Sequence, residues 1–243
     1  RLYQKNTDMC GFYLLALNGD LDNIDIITPH ETKKEEPVKE EVVEELEKWG
    51  KWYLELTGVD SFRLDAVKHI KSDFMAEFIR KMKEARPDLK CVGEYWNRNL
   101  DTLKWYIDKT NSTIPLFDVP LHYNLYEAAN SHGNYDMGRI FENTLVKEMP
   151  SLAVTFVDNH DTEPGQALFS WIPDWFKPLA YALILLRKDG LPCIFYGDYY
   201  GIPSQNIEGK KDMLENMMRL RKNYAYGEQK DYFDQHDVIA FVR

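Results

Sequence analysis

The chain reads as an α/β protein in which βαβ units build a parallel sheet. Three observations carry that reading. Short apolar runs alternate with stretches of helical period from Pro37 to Asn223, the order that sets crossover helices between parallel strands. The runs end alike in polar groups, at Asp65, Glu94, Asp158 and Asp198, which gathers charge at the C-terminal ends of the strands. With 243 residues the chain is also long enough to bury the core of one large domain.

Taken in order, residues 1–36 show no clear period. Their run GDLDNIDIITPHETKKEEP brings Asp20, Asp22 and Asp25 close together. Such oxygen donors suit calcium, or simply a solvated acidic loop. A helix is predicted over Pro37–Thr57, with Pro37 in the first turn and Gly58 as the stop. Val38, Val42, Leu46, Trp49, Tyr53 and Leu56 form its apolar stripe. A strand follows over 59–65. Next comes a helix from Asp73 to Ala85, capped by Ser72, with Phe74, Phe78, Ile79 and Met82 inward.

Leu89 to Gly93 reads as the second strand, followed by a helical stretch near 99–109. The short run LFDVPL (116–121) is strand-like, with helices expected near 122–130 and over 136–148. Ser151 to Val157 is the clearest buried strand, and a helix is predicted from Asp174 to Arg187. Leu191 to Tyr196 reads as the last strand of the series, 208–223 as the closing helix, and 231–242 as short β runs.

Composition narrows the function classes. A net charge of −10 with no basic cluster offers no phosphate footprint, which argues against nucleic acid or a charged membrane surface. No apolar run reaches the roughly 18–20 residues of a membrane span. The three cysteines, Cys10, Cys91 and Cys193, are odd in number and far apart, so neither a disulfide framework nor a cysteine zinc site is indicated. The chain opens on Arg1 without Met or a signal-type apolar region, and is expected to be a fragment.

The chemistry concentrates in Val59–Ile70, VDSFRLDAVKHI. Arg63 and Asp65 are two apart in a strand and share a face, so the guanidinium can hold the carboxylate ionised. A structural Arg–Asp pair would look the same on this stretch alone. Glu94, however, closes an apolar run before Tyr95 and Trp96, where apolar surroundings raise a carboxyl pKa. Asp161 follows His160 after the third such run. About one βα unit separates Asp65 from Glu94, and about two separate Glu94 from Asp161. Two carboxyl groups, one ionised and one protonated, are what cleavage of a glycosidic bond with retention requires.

SFRLDAVKH, VGEYW and FVDNHDTEPGQ resemble three of the four signature regions of the α-amylase family of glycoside hydrolases, and the bacterial liquefying α-amylases in particular. The likeness continues through FDVPLHY, NYDM, WFKPLAYALIL, PCIFYGDYYG and RKNYAYGEQKDYFDQHDVI, covering about 37–243. The resemblance implies that Asp65 is the nucleophile, Glu94 the general acid/base and Asp161 the carboxylate that stabilises the transition state. Arg63 would partner the nucleophile, His160 would bind sugar hydroxyls, and Lys68, His69 and Trp96 would contact substrate on the leaving side. It also implies structural calcium held by Asp20 and the main-chain oxygen of His69, with Asp22 at adjoining metals, sodium among them. Gly133, Tyr135, His236 and Asp237 would form a second calcium site.

The fold implied is the second half of a (β/α)₈ TIM barrel, about strands four to eight, with the start of a C-terminal β-domain. On that division 1–36 precede the third barrel helix, 37–229 form the half barrel and 230–243 open the β-domain. The family's first signature region is absent, Ser61 replaces the usual Gly, and Glu163 stands where Gln is common. A half barrel leaves an exposed edge, so the other half is an expected partner. The activity implied is endo-hydrolysis of α-1,4-glucosidic bonds in starch and maltooligosaccharides. A glucan transglycosylase and a non-catalytic carbohydrate-binding fragment are the alternatives.

Overall fold

The computed structural model describes residues 39–243, and these divide into two compact units. The first contains residues up to Trp96 together with Thr102–Leu116. Its first helix, α1 (Glu40–Thr57), ends at Gly58, whose N–H returns to the Leu54 carbonyl at 3.0 Å. Pro37 and Val38 lie outside the described residues. The buried face of α1 carries Gly50 and Leu54, whereas Trp49 and Leu56 of the expected stripe are exposed. Gly50 decides this, since a Cβ there would stand 2.5 Å from the Met82 sulfur. Close backbone approach, rather than the bulkiest side chains, fixes which way the helix faces.

Strand β1 (Ser61–Leu64) leads through a tight turn to helix α2 (Ser72–Ala85). Ser72 is the first residue of that helix rather than its cap, because Lys71 occupies the cap position and makes no side-chain cap bond. Met75, Phe78, Ile79 and Met82 are buried, Met75 in place of the expected Phe74. Each such side chain contributes about 2 kcal/mol by leaving water. Strand β2 (Lys90–Gly93) pairs parallel with β1, Leu64 opposite Gly93. Helix α3 (Leu100–Lys109) buries Leu103, Tyr106 and Ile107. Strand β3 (Leu116–Phe117) is short, and its Leu116 pairs parallel with Gly93.

The second unit comprises Asn97–Asp101 and Phe117–Arg243. LFDVPL is strand for two residues only. Asp118 accepts the Leu121 N–H as an N-cap, and Pro120 sits in the first turn of α4 (Val119–Asn130), so the helix begins earlier than expected. The helix expected over 136–148 is instead a 3₁₀ turn at Met137–Arg139, further turns and the short α5 (Leu145–Glu148). Caps interrupt it: Asp136 binds Gly138 N–H and Thr144 binds Lys147 N–H.

Strands β4 (Ala153–Phe156) and β5 (Leu191–Cys193) pair parallel, Thr155 opposite Pro192. Between them α6 (Lys177–Leu185) is mostly buried, with Pro178 and Leu179 exposed. After β5 the chain turns into α7 (Tyr196–Tyr200) and a two-stranded pair, β6 (Gly201–Ile202) and β7 (Ile207–Glu208). Helix α8 (Lys211–Asn223) follows, beginning later than expected because that pair occupies residue 208. The last elements, β8 (Lys230–Tyr232) and β9 (Ala240–Val242), are antiparallel, as the short β runs predict. Parallel strands with intervening helices make this part of a (β/α)₈ barrel. No helix among the described residues is long and apolar enough to cross a membrane.

Candidate active site

In the first unit the pairing of β1 with β2 decides which side chains meet. Phe62 and Leu64 are buried on one face of β1, leaving Arg63 on the other. Arg63 lies opposite Val92, and the same register, continued past Leu64 and Gly93, brings Asp65 beside Glu94. Beyond the strands the backbones stay joined: Glu94 N–H donates to Leu64 O at 2.8 Å, and Val67 N–H to Glu94 O at 3.0 Å. Gly93 is required here, because a Cβ would come within 2.9 Å of both Ile114 and Leu116. Ala66, next to Asp65, is held in the left-handed region at φ +47°. Such strain persists only where the surroundings enforce it.

Arg63 bridges the two acids, one nitrogen 2.9 Å from Asp65 Oδ1 and the other 3.3 Å from Glu94 Oε1. The Ala66 N–H donates to Glu94 Oε2 at 3.3 Å. Burial pushes the Glu94 pKa up to about 7. Arg63 opposes that rise, the hydrogen bond and charge of Asp65 add to it, and the Ala66 N–H opposes it. A carboxyl group near half-protonation at neutral pH can both give and take a proton. Tyr95 is buried beside it, its ring 5.0 Å from that of Tyr106.

Lys68 and His69 lie in a 3₁₀ turn just after Asp65. Burial and the neighbouring Lys68 lower the His69 pKa, and its Nδ1 is buried without a hydrogen-bond partner. Trp96 is half-buried, two residues past Glu94.

The second unit holds His160 and Asp161 in the loop after β4, with His160 Nε2 3.5 Å from Asp161 Oδ2. This loop is wound about two side chains. Asn159 Oδ1 accepts the N–H groups of Asp161 (2.9 Å) and Thr162 (3.0 Å), and Asp158 Oδ1 accepts the Thr162 hydroxyl at 2.8 Å. Behind it lies a fully buried ionic cluster that sequence reasoning missed. Lys177 Nζ donates to Asp158 Oδ2 at 2.7 Å and to Asp198, and Tyr181 OH donates to Asp198 Oδ2 at 2.6 Å. Burial raises the Asp158 pKa to about 7, Lys177 working against that rise and Asp198 with it. The one signal in the sequence is a lysine in the otherwise apolar WFKPLAYALILL. His122 is structural: it is fully buried between Val157 O and Ser170 Oγ, and burial lowers its pKa to about 4.

Asp20 and Asp22 lie outside the described residues. Of the other metal candidates, Gly133 and Tyr135 lie just before the 3₁₀ turn at Met137–Arg139, and Met137 N–H donates to His236 O at 2.7 Å. A cavity of about 390 Å³ there is lined by Asp136, Arg139, Glu142 and His236. Among the described residues no three His, Cys, Asp or Glu side chains cluster as a metal cage. Asp136, Asp234 and Glu142 give this cavity oxygen donors of the kind calcium takes, whereas Gly133, Tyr135 and Asp237 are not part of its lining.

Residues 34–233 match the family described as alpha amylase, catalytic domain. Over 84% of its length the chain is 54% identical to an alpha-amylase of Geobacillus stearothermophilus, covering 37% of that protein. It is 46% identical to an alpha-amylase of Bacillus licheniformis, covering 40% of it. The chain thus spans about two fifths of the length of these relatives. Among solved structures, an Anoxybacillus alpha-amylase superposes on 84% of the chain, and 49% of its own, with a TM-score of 0.64 at 21% identity. That likeness shows the fold.

Proposed function

The chain belongs to the alpha amylase catalytic-domain family, and on that premise we propose that it is the catalytic part of an endo-acting α-amylase. Its substrates are the α-1,4-glucosidic bonds of starch and maltooligosaccharides, cleaved with retention. The observation that carries this is the pairing of Glu94, buried and raised to about 7, with Asp65, which Arg63 holds at 2.9 Å. Glu94 gives its proton to the leaving glycosidic oxygen while Asp65 Oδ attacks the anomeric carbon. Glu94 then takes a proton from the water that displaces Asp65, restoring both groups. Retaining pairs stand roughly 5–5.5 Å apart and inverting pairs roughly 6.5–9.5 Å. One guanidinium reaches both carboxyls, Asp65 Oδ1 at 2.9 Å and Glu94 Oε1 at 3.3 Å, and that closeness supports the retaining reading.

Asp161 supplies the third carboxylate in this reading. His160 binds sugar hydroxyls, and Lys68, His69 and Trp96 contact the leaving-side glucose units. Calcium would be held by the oxygens of Gly133, Tyr135, His236 and Asp237, and at a second place by His69 O with Asp20, Asp22 adjoining it. It would supply structural bracing only.

Reducing-end release from soluble starch tests the proposal, using the 243-residue chain beside Asp65→Asn and Glu94→Gln. Activity by the chain and loss on the order of 10³-fold in each variant are expected. A loss of only a few-fold in either variant refutes the assignment, and no release by the unmutated chain points to the other barrel half as required for activity. Elongated products from maltotriose would replace hydrolysis with glucosyl transfer.

A further inference from the structure

Lys177 begins α6 with its side chain fully buried, an unusual place for an ammonium group. Its Nζ lies 3.3 Å from the Trp171 ring centroid and reaches two carboxylates, Asp158 and Asp198. Asp198 is further bound by Tyr181 OH. One cation thus faces two buried acids, so the cluster is not neutral when both are ionised. Such clusters are poor sources of net stability, because desolvation offsets the attraction. Their effect is better sought in what they orient.

Asp158 spends its other contacts on the loop. Oδ1 takes the Thr162 hydroxyl at 2.8 Å, and Oδ2 takes Ile172 N–H at 3.2 Å. The Thr162 hydroxyl oxygen in turn accepts Asn159 N–H at 3.0 Å, and Asn159 Oδ1 accepts Asp161 N–H at 2.9 Å. A continuous series of hydrogen bonds therefore runs from the buried ammonium to the backbone of Asp161. We propose that Lys177 is a positioning residue, which acts through Asp158 and Thr162 to hold the loop carrying His160 and Asp161 in its working shape. Without the ammonium, the buried Asp158 carboxylate loses the contact that fixes its position. Its hold on Thr162 and Ile172 then slackens, and the loop loses its anchor.

The proposal's catalytic consequence rests on the amylase reading, but its structural core is testable without substrate. Amide hydrogen exchange is followed in the chain and in Lys177→Met, which keeps the volume of the side chain. Exchange at Asn159–Thr162 should quicken about tenfold or more, while α2 and α4 keep their protection. Thr162→Val breaks the same series with no change of charge or size and should give the same local loosening even if Lys177→Met folds poorly. Asp198→Asn retains the Lys177–Asp158 pair and should leave the loop protected. On maltoheptaose, Lys177→Met and Thr162→Val should lower kcat about 30-fold with KM within about threefold, the rate being taken per folded molecule so that lost stability is not counted as lost turnover. Unchanged exchange at Asn159–Thr162 in Thr162→Val overturns the proposal, whatever the chain does to starch. If the loop loosens but Glu94→Gln keeps the full rate of starch hydrolysis, the positioning stands and the amylase reading falls.

Discussion

Glu94→Gln should stabilise the chain, and by an amount that depends on pH. The Glu94 carboxyl is 5% exposed, and its pKa stands at about 7 in the folded state against 4.5 ordinarily. Folding therefore favours the protonated form. The favourable state is fully present below about pH 4.5, where the group is protonated whether folded or unfolded, and is lost as pH rises through 7. A shift of this size corresponds to about 3 kcal/mol when the group is ionised in both states. Glutamine is isosteric, uncharged and insensitive to pH, so the variant escapes that penalty.

The expected result in urea denaturation is near-equal stability of the two proteins at pH 4. A gap then opens between pH 5 and 8, reaching about 3 kcal/mol in favour of Glu94→Gln at pH 8. Two curves that stay parallel from pH 4 to 8 would refute the reasoning, since Glu94 would then be an ordinary carboxylate. The penalty is also the chemical point, because the burial that makes ionisation costly keeps a proton on Glu94 where an acid catalyst needs one.

Two other outcomes follow from buried polar contacts. Asp118 accepts the N–H groups of Leu121, Leu145 and Val146, so Asp118→Ala should cost about 3 kcal/mol. Asp118→Asn, which keeps Oδ1 for two of them, should cost about 1 kcal/mol; equal losses in the two variants would show that the hydrogen bonds are not the cause. Arg187 grips Asp231 of β8 with two nitrogens and lies over the Phe141 and Phe233 rings. With Asp231 partly in water, Arg187→Met should weaken this tie by about 1 kcal/mol. Limited proteolysis near β8 and β9 should then quicken several-fold, and an unchanged cleavage rate would exclude a tethering role.

The parallel α/β class and the acids at the strand ends were legible in the chain itself. Arg63 and Asp65 share a strand face by the two-residue period alone, and the apolar run before Glu94 correctly announced a raised pKa. Gly58 marked the end of α1, because a stop signal acts within one turn of the backbone it ends. Local rules also misled where they competed. Trp49 and Leu56 fit the helical stripe of α1, yet Gly50 faces the core, since the approach of α2 lies in another part of the chain. Asp118 looked like part of a strand until its carboxylate was seen capping α4 and binding the start of α5.

The types of acid and their spacing are thus properties of the sequence, because period and local apolarity belong to neighbouring residues. How far burial, Arg63, Asp65 and the Ala66 N–H each move the Glu94 proton was decided only by the pairing of β1 with β2. The tie from Lys177 to the loop of Asp161 was likewise left to the tertiary structure, for α6 lies beyond that loop in the chain, and only folding brings a buried ammonium against Asp158. Solvent exclusion and distance set those energies, and neither exists until the strands and helices have packed.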